Sequence, residues 1–175
     1  MKVLFILPHC STGGLPQYTL KLIEHFTNDY EIEVVETDNI SDEYVVQRNK
    51  IKALVPFHQL YGDHKQLISL IERFDVIHFQ EIPETFLSDD ILNKIYINDR
   101  TWKIVVTTHS SYTDPASLRY IADKFILVSE WSKDVFQNYF NNEIPCDIWE
   151  YPIEKVFYDK QESKKLLGFD NDYRH

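Results

Sequence analysis

Hydrophobic residues in this chain fall into short runs separated by stretches with helical spacing, and the two patterns alternate along most of the length. Residues 2–7, Lys-Val-Leu-Phe-Ile-Leu, form a β-branched and aliphatic run bounded by Pro8. A run that is apolar on both faces and only strand-long is the pattern of a buried parallel strand. Gly13 and Gly14 interrupt the polar loop that follows. Tyr18, Leu22, Ile23 and Phe26 then recur at helical spacing, with Pro16 where the start of a helix tolerates it.

The alternation continues with a second strand predicted over 31–37. Residues 44–55, broken by Arg48-Asn49-Lys50, read as a hairpin or an irregular third strand. Leu67, Ile68, Ile71 and Phe74 mark a helix, followed by a strand at 75–79, a short helix around 91–95 and a strand at 103–108. A helix is predicted over 115–122 and a buried strand over 124–128. Ser129 is a good N-cap for a helix carrying Trp131, Val135, Tyr139 and Phe140 on one side. A last strand is predicted at 148–151, and residues 160–167, stopped by Gly168, begin one more helix. Strands alternating with helices imply right-handed crossovers, hence an α/β domain: a doubly wound, mostly parallel sheet with helices on both faces.

Composition narrows the class. With 175 residues, 43% of them hydrophobic and 14% aromatic, the chain has enough apolar material for one packed domain and no compositional sign of disorder. The longest apolar runs fall far short of the roughly 20 residues needed to cross a bilayer. The first residues read as a strand and not as a signal peptide. Cys10 and Cys146 are the two cysteines and neither belongs to a CxxC pair, so neither a disulfide framework nor a zinc site of standard spacing is expected. A reducing cytoplasm fits best. A formal charge of −10 argues against nucleic acid as a partner, because that affinity comes from Lys and Arg neutralising phosphates. It also weakens a peripheral-membrane reading without removing it.

In a doubly wound sheet, ligands sit outside the carboxyl ends of the strands. Four places qualify: Pro8-His-Cys-Ser-Thr-Gly-Gly14, Gln80-Glu81, His109-Ser110-Ser111 and Ser129-Glu130. Glycines after a first strand let the backbone approach a ligand, and the following helix N-terminus suits an anion, although Gly13-Gly14 matches neither GxGxxG nor GxxxxGK[ST] and serves equally as a simple turn. His109 stands where an imidazole can bond a hydroxyl, stabilise a charge or relay a proton, or be a satisfied structural residue. His78, inside its strand, reads as core. Glu81 and Glu130 are carboxylates able to accept hydrogen bonds from sugar hydroxyls or from a base, and Glu130 fits the first turn of its own helix better. Asp170-Asn171-Asp172 has D-x-D spacing but no strand before it, so no metal is expected there.

Taken in order, Lys2-Val-Leu-Phe-Ile-Leu-Pro with Gly13-Gly14, Asp75-Val-Ile-His-Phe-Gln80, Val105-Val-Thr-Thr-His-Ser110, Ile126-Leu-Val-Ser-Glu-Trp-Ser132 and Glu150-Tyr-Pro-Ile-Glu154 resemble a known domain. It is the N-terminal, acceptor-side domain of retaining, sugar-nucleotide-dependent glycosyltransferases of the GT-B fold, the large glycogen-synthase and mannosyltransferase-like group. The resemblance implies a domain over 1–155, with 156–175 as linker and start of a C-terminal domain that binds most of the sugar nucleotide. It implies a hexosyltransferase that is inactive without that second domain, in cis or in trans. The donor would be a nucleotide-diphosphate sugar, the acceptor a glycan or other hydroxyl compound, with no tightly bound cofactor. By the same resemblance Gly13 and Gly14 face the diphosphate and acceptor, His109 lies close to the transferred sugar, and Glu81, Ser110 and Ser129 are assigned to substrate. The alternatives are a non-catalytic module that binds a glycan or partner through the same fold, and a small self-contained Rossmann-type enzyme or regulator.

Overall fold

The computed structural model describes residues 1–38, 45–109 and 114–150. Its centre is a sheet of seven strands: β1 (Lys2–Leu7), β2 (Glu31–Glu36), β3 (Phe57–Gln59), β4 (Val76–Phe79), β5 (Lys103–Thr108), β6 (Lys124–Leu127) and β7 (Cys146–Ile148). The strands lie in the order β3-β2-β1-β4-β5-β6-β7, and every pairing is parallel. The helices are α1 (Gly14–Phe26), α2 (Val46–Leu54), α3 (Lys65–Ile71), α4 (Asp89–Ile95) and α5 (Glu130–Tyr139). This is the doubly wound α/β architecture expected from the alternation.

The alternation of side chains along each strand divides the core in two. Val3, Phe5 and Leu7 of β1 pack with Tyr18, Leu22 and Ile23 of α1 and Ile51 of α2. Leu4 and Ile6 point to the opposite face, where Leu67, Leu70 and Ile71 of α3, Ile91, Leu92 and Ile95 of α4, and Phe136 of α5 cover β4 to β6. Two helices therefore cover one face and three the other. The chain runs outward from β1 through β2 to β3, then returns to place β4 beside β1. The sheet reverses its winding between β1 and β4, and the loops that leave these two strands open the crevice in which such folds bind ligands.

Four sequence expectations are corrected. The hairpin or strand expected over 44–55 is α2; residue 44 itself lies outside the described residues. Gln47, Arg48 and Ile51 are its buried residues, and the charge of Arg48, which looked like a break, is neutralised inside the domain by Glu36. The third strand is the short edge segment β3, in register with β2 through Val34↔Phe57, Val35↔His58 and Glu36↔Gln59.

The helix expected over 115–122 is a single 3₁₀ turn, Pro115–Ser117, capped by the Asp114 carboxylate on the Ala116 N–H. Beyond it the N–H groups of Arg119 and Tyr120 both donate to Glu84 Oε1 at 3.1 Å. A distant carboxylate has taken the donors that would have continued the helix. The strand predicted at 148–151 is β7, which begins and ends earlier.

In α5 the inward face is Ser132 and Phe136, whereas Trp131 and Tyr139 are more than half exposed. The Ser129 hydroxyl accepts from the Ser132 N–H, which sets the helix in the phase that turns Phe136 onto Phe125, ring centroids 4.7 Å apart. The helix predicted at 160–167, the carboxylates of Asp170 and Asp172, and the boundary near 155 lie outside the described residues.

Candidate functional site

The crevice is built first by the loop leaving β1. The parallel ladder with β2 persists past the strand end, with Thr37 N–H donating to Leu7 C=O and Asp38 N–H to Pro8 C=O. The loop turns away after Pro8 and enters α1 through Gly13, whose φ of 152° and ψ of 178° lie in a region essentially restricted to glycine. The Gly13 carbonyl accepts the Gln17 N–H at 3.2 Å. No side chain caps this N-terminus and no acidic residue occupies its first turn. The helix therefore presents its positive end and first amides without a built-in carboxylate, which suits an anionic ligand group.

Gly13→Ala tests the geometry of this entry. A Cβ at Gly13 would meet only Pro16 Cδ, at an ordinary 3.9 Å, so the cost is torsional and not steric. Denaturant unfolding is expected to show a loss of ~1–3 kcal/mol; a change within the error of the measurement would mean that the turn relaxes freely.

The adjoining ends of β4 and β5 bring α1 to the same place. Gln80 is fully buried just after β4 and its N–H donates to Ile6 C=O. Its Oε1 accepts from Thr19 Oγ1 of α1 at 3.3 Å, a hydrogen that Thr19 shares with Leu15 C=O at 3.0 Å. His109, immediately after β5, is half-buried against Tyr18 of α1, with ring centroids 4.9 Å apart and an interplanar angle of 79°. The Tyr18 hydroxyl reaches Trp149 C=O at 3.5 Å, beyond β7.

Burial pulls the His109 pKa down from 6.5 to about 4. Its imidazole is neutral at physiological pH and offers hydrogen bonding instead of charge. Beneath it, inside β4, His78 is buried and bonded through Nε2 to Thr107 Oγ1 at 2.8 Å. Desolvation first, and the nearby His109 second, bring the His78 pKa down to about 3. Its place is in the core, as its position in the strand suggested.

The structure thus joins Gly13, Gly14 and His109 through α1. Glu81 follows Gln80, half-buried; its Oε1 accepts the Ile82 N–H at 2.8 Å, while desolvation raises its carboxyl pKa. Ser129 is committed to α5, its Oγ accepting from the Ser132 N–H at 3.2 Å and lying 2.6 Å from Ser132 Oγ. Glu130 stands in the first turn of α5. Ser110 and Ser111 lie outside the described residues.

Among the described residues, no three His, Cys, Asp or Glu side chains converge on a possible metal position, and no helix is long and apolar enough to cross a membrane. Sequence reasoning missed Tyr18, which it read only as part of a helical stripe, and Glu36 and Arg48; it named Gln80 as a strand-end residue but not its link to Thr19. The available signal was polarity at positions that the pattern places in the core, such as Glu36 directly after Val34 and Val35 in β2.

No family model matches the chain, and no curated protein matches it in sequence. Solved structures do resemble it. Anabaena HepE in complex with UDP superposes with a TM-score of 0.65 over 96% of this chain and 50% of that one, at 13% identity. HepE in complex with UDP and glucose superposes with a TM-score of 0.60 over the same shares, also at 13% identity. A mutant O-GlcNAc transferase of Thermobaculum terrenum gives a TM-score of 0.58 over 89% of this chain and 30% of that one, at 13% identity. The chain spans about half the length of the HepE chain it resembles. These likenesses establish a shared Rossmann-like α/β fold, with the described sheet all parallel.

Proposed function

We propose that this chain is the first α/β domain of a GT-B-type glycosyltransferase. It would transfer a sugar from a nucleotide-diphosphate donor to a hydroxyl acceptor with retention, and it would need a second domain to hold most of the donor. The observation that carries this reading is the uncapped glycine entry to α1 together with a half-buried His109 whose ring packs on Tyr18 of the same helix. Fold neighbours that hold UDP, and UDP with glucose, support it.

In this reading the Gly13 and Gly14 backbone and the first amides of α1 face the diphosphate, where negative charge gathers as the donor bond breaks. Donors fixed before the reaction stabilise that charge without reorganising. A neutral His109 holds a sugar hydroxyl by hydrogen bonding, which orients the donor for attack by the acceptor oxygen. Glu81 serves the acceptor side, where partial burial holds its carboxyl group in a partly dry setting and raises its pKa. Ser110 and Ser129 are assigned to substrate as well, Ser129 through whatever acceptor capacity its capping bond leaves. The electrostatic clamp on the leaving group belongs to the second domain, and the boundary near residue 155 is part of the same proposal.

The test is a titration of the isotope-labelled chain with UDP and UDP-glucose at millimolar concentration, followed by amide NMR. Shifts are expected at Gly13, Gly14 and His109, weakened at least tenfold in affinity by His109→Ala, with no measurable sugar transfer. Shifts confined to another face of the sheet, or turnover of UDP-glucose by this chain alone, would overturn the reading.

A further inference from the structure

We propose that Glu36 and Arg48 form a buried strut that fixes the loop between β1 and α1, making them positioning residues for the crevice; the part of the inference that concerns nucleotide binding rests on the function proposed above. Glu36 ends β2 and is fully buried, and Arg48 in α2 is 1% exposed. The carboxylate is shared among three segments. Oε1 accepts the Cys10 N–H at 2.6 Å and Arg48 Nη2 at 2.9 Å. Oε2 lies 2.7 Å from Arg48 Nε and accepts from Gln59 Nε2 of β3 at 3.3 Å.

The second half of the arrangement is in the backbone. The Arg48 N–H donates to the Cys10 carbonyl at 3.1 Å. Both peptide groups of Cys10 are therefore held by this pair, the N–H by the side chain of Glu36 and the C=O by the main chain of Arg48. Three residues later the Gly13 carbonyl is bonded into α1. Only Ser11 and Thr12 lie between the two anchors, so the position of Cys10 sets where the glycine turn can go. Without the strut, the β1–β2 ladder would guide the loop no further than Pro8.

Stability alone is a poor account of such a pair. Two charges removed from water carry a desolvation cost that well-packed hydrophobic residues of similar volume avoid, and such replacements often leave a protein as stable or more so. What the pair supplies that apolar side chains cannot is a set of directional bonds to one particular peptide unit. A short carboxylate bond to an N–H is among the strongest available for holding backbone.

Cys10 provides the readout. It is fully buried, and burial with the Glu36 charge beside it pushes its thiol pKa up, so the held loop keeps it unreactive. Cys146, at the far edge of the sheet in β7, is the internal control and the other of the two cysteines.

The experiment measures alkylation of each cysteine by iodoacetamide under native conditions, with UDP titrations in parallel. In Arg48→Met, Cys10 is expected to label at least tenfold faster than in the parent chain, with Cys146 and the far-UV spectrum unchanged. Arg48→Lys, which returns a cation to Glu36, is expected to recover much of the protection. Should Arg48→Met not fold, Glu36→Gln carries the same comparison, since it keeps an acceptor near Cys10 but loses the charge. Unchanged labelling in a folded variant would overturn the strut, and so would a parallel rise at Cys10 and Cys146, which would mark a pair serving global stability only. Release of Cys10 with a tenfold loss of UDP affinity supports both parts. Release of Cys10 with UDP binding unchanged, or with none in the parent chain, upholds the strut and overturns the nucleotide reading of the loop.

Discussion

Replacement of Phe79 by alanine is expected to remove about 3–5 kcal/mol of folding stability, the usual range for truncating a large buried aromatic. Phe79 ends β4 with no exposure. Its flanking partners in the sheet are Ile6 of β1 and Val106 of β5, both in parallel register. Its ring lies 6.3 Å from that of Phe86 at 61°. Two bonded strands hold the backbone on either side, so the neighbourhood cannot collapse into the space the ring leaves. The cavity cost therefore adds to the lost transfer energy. Urea unfolding should show a lower midpoint with an unchanged slope. A loss below about 0.5 kcal/mol, the range of an ordinary surface change, would show that this face of the sheet is not packed as described.

Acid should weaken the domain through His78, and the sign follows from the direction of its shift. The folded pKa is about 3, the ordinary imidazole value 6.5. Between these values the unfolded chain binds a proton that the folded chain refuses, so stability falls as pH falls. The contribution of His78 is complete above pH 6.5 and diminishes down to about 3, at about 1.4 kcal/mol per pH unit within the window. From pH 6.5 to 5 this amounts to roughly 2 kcal/mol. His109, with its pKa near 4, acts in the same direction; its partial exposure makes the contribution smaller.

The measurement is a series of urea titrations from pH 7.5 to 4.5 on the parent chain and on His78→Asn, which keeps a polar partner for Thr107 but does not titrate. The variant should be less stable at neutral pH and lose stability more slowly on acidification. Parallel acid branches would mean that His78 is protonated in the folded domain, against the burial that defines its place in the core.

The fold was legible because its strands are short apolar-rich runs, β1 most plainly, and its helices are apolar on one face. Those signals depend on local chemistry, and β1, β2, β4, β5 and β6 fall close to where the pattern puts them. What failed depended on partners remote in sequence. Arg48 looked like a turn residue because its ion partner is in β2. Residues 118–122 looked helical because nothing nearby announces that Glu84 takes the Arg119 and Tyr120 amides. The phase of α5 was missed because Trp131 and Tyr139 are large and apolar, whereas the inward positions begin with a serine.

The same division runs through the candidate site. Gly13 and His109 could be nominated because they follow strands, a property of position. Tyr18 against His109, the Gln80 link to Thr19, and the hold of Glu36 on Cys10 are products of the folded sheet. No spacing rule within the sequence could have joined them.

The placement of β1 at the middle of the sheet has a consequence for synthesis. Val3 pairs with Ile32 on one side and with Val76 on the other. β1 leaves the ribosome before β4 and so waits for a partner more than seventy residues downstream before both its edges are closed. Closing so long a loop delays the central pairing and leaves an apolar strand edge open in the nascent chain. The interval between synthesis of β1 and of β4, more than late assembly at β7, is the stage at which this domain is most open to misassociation.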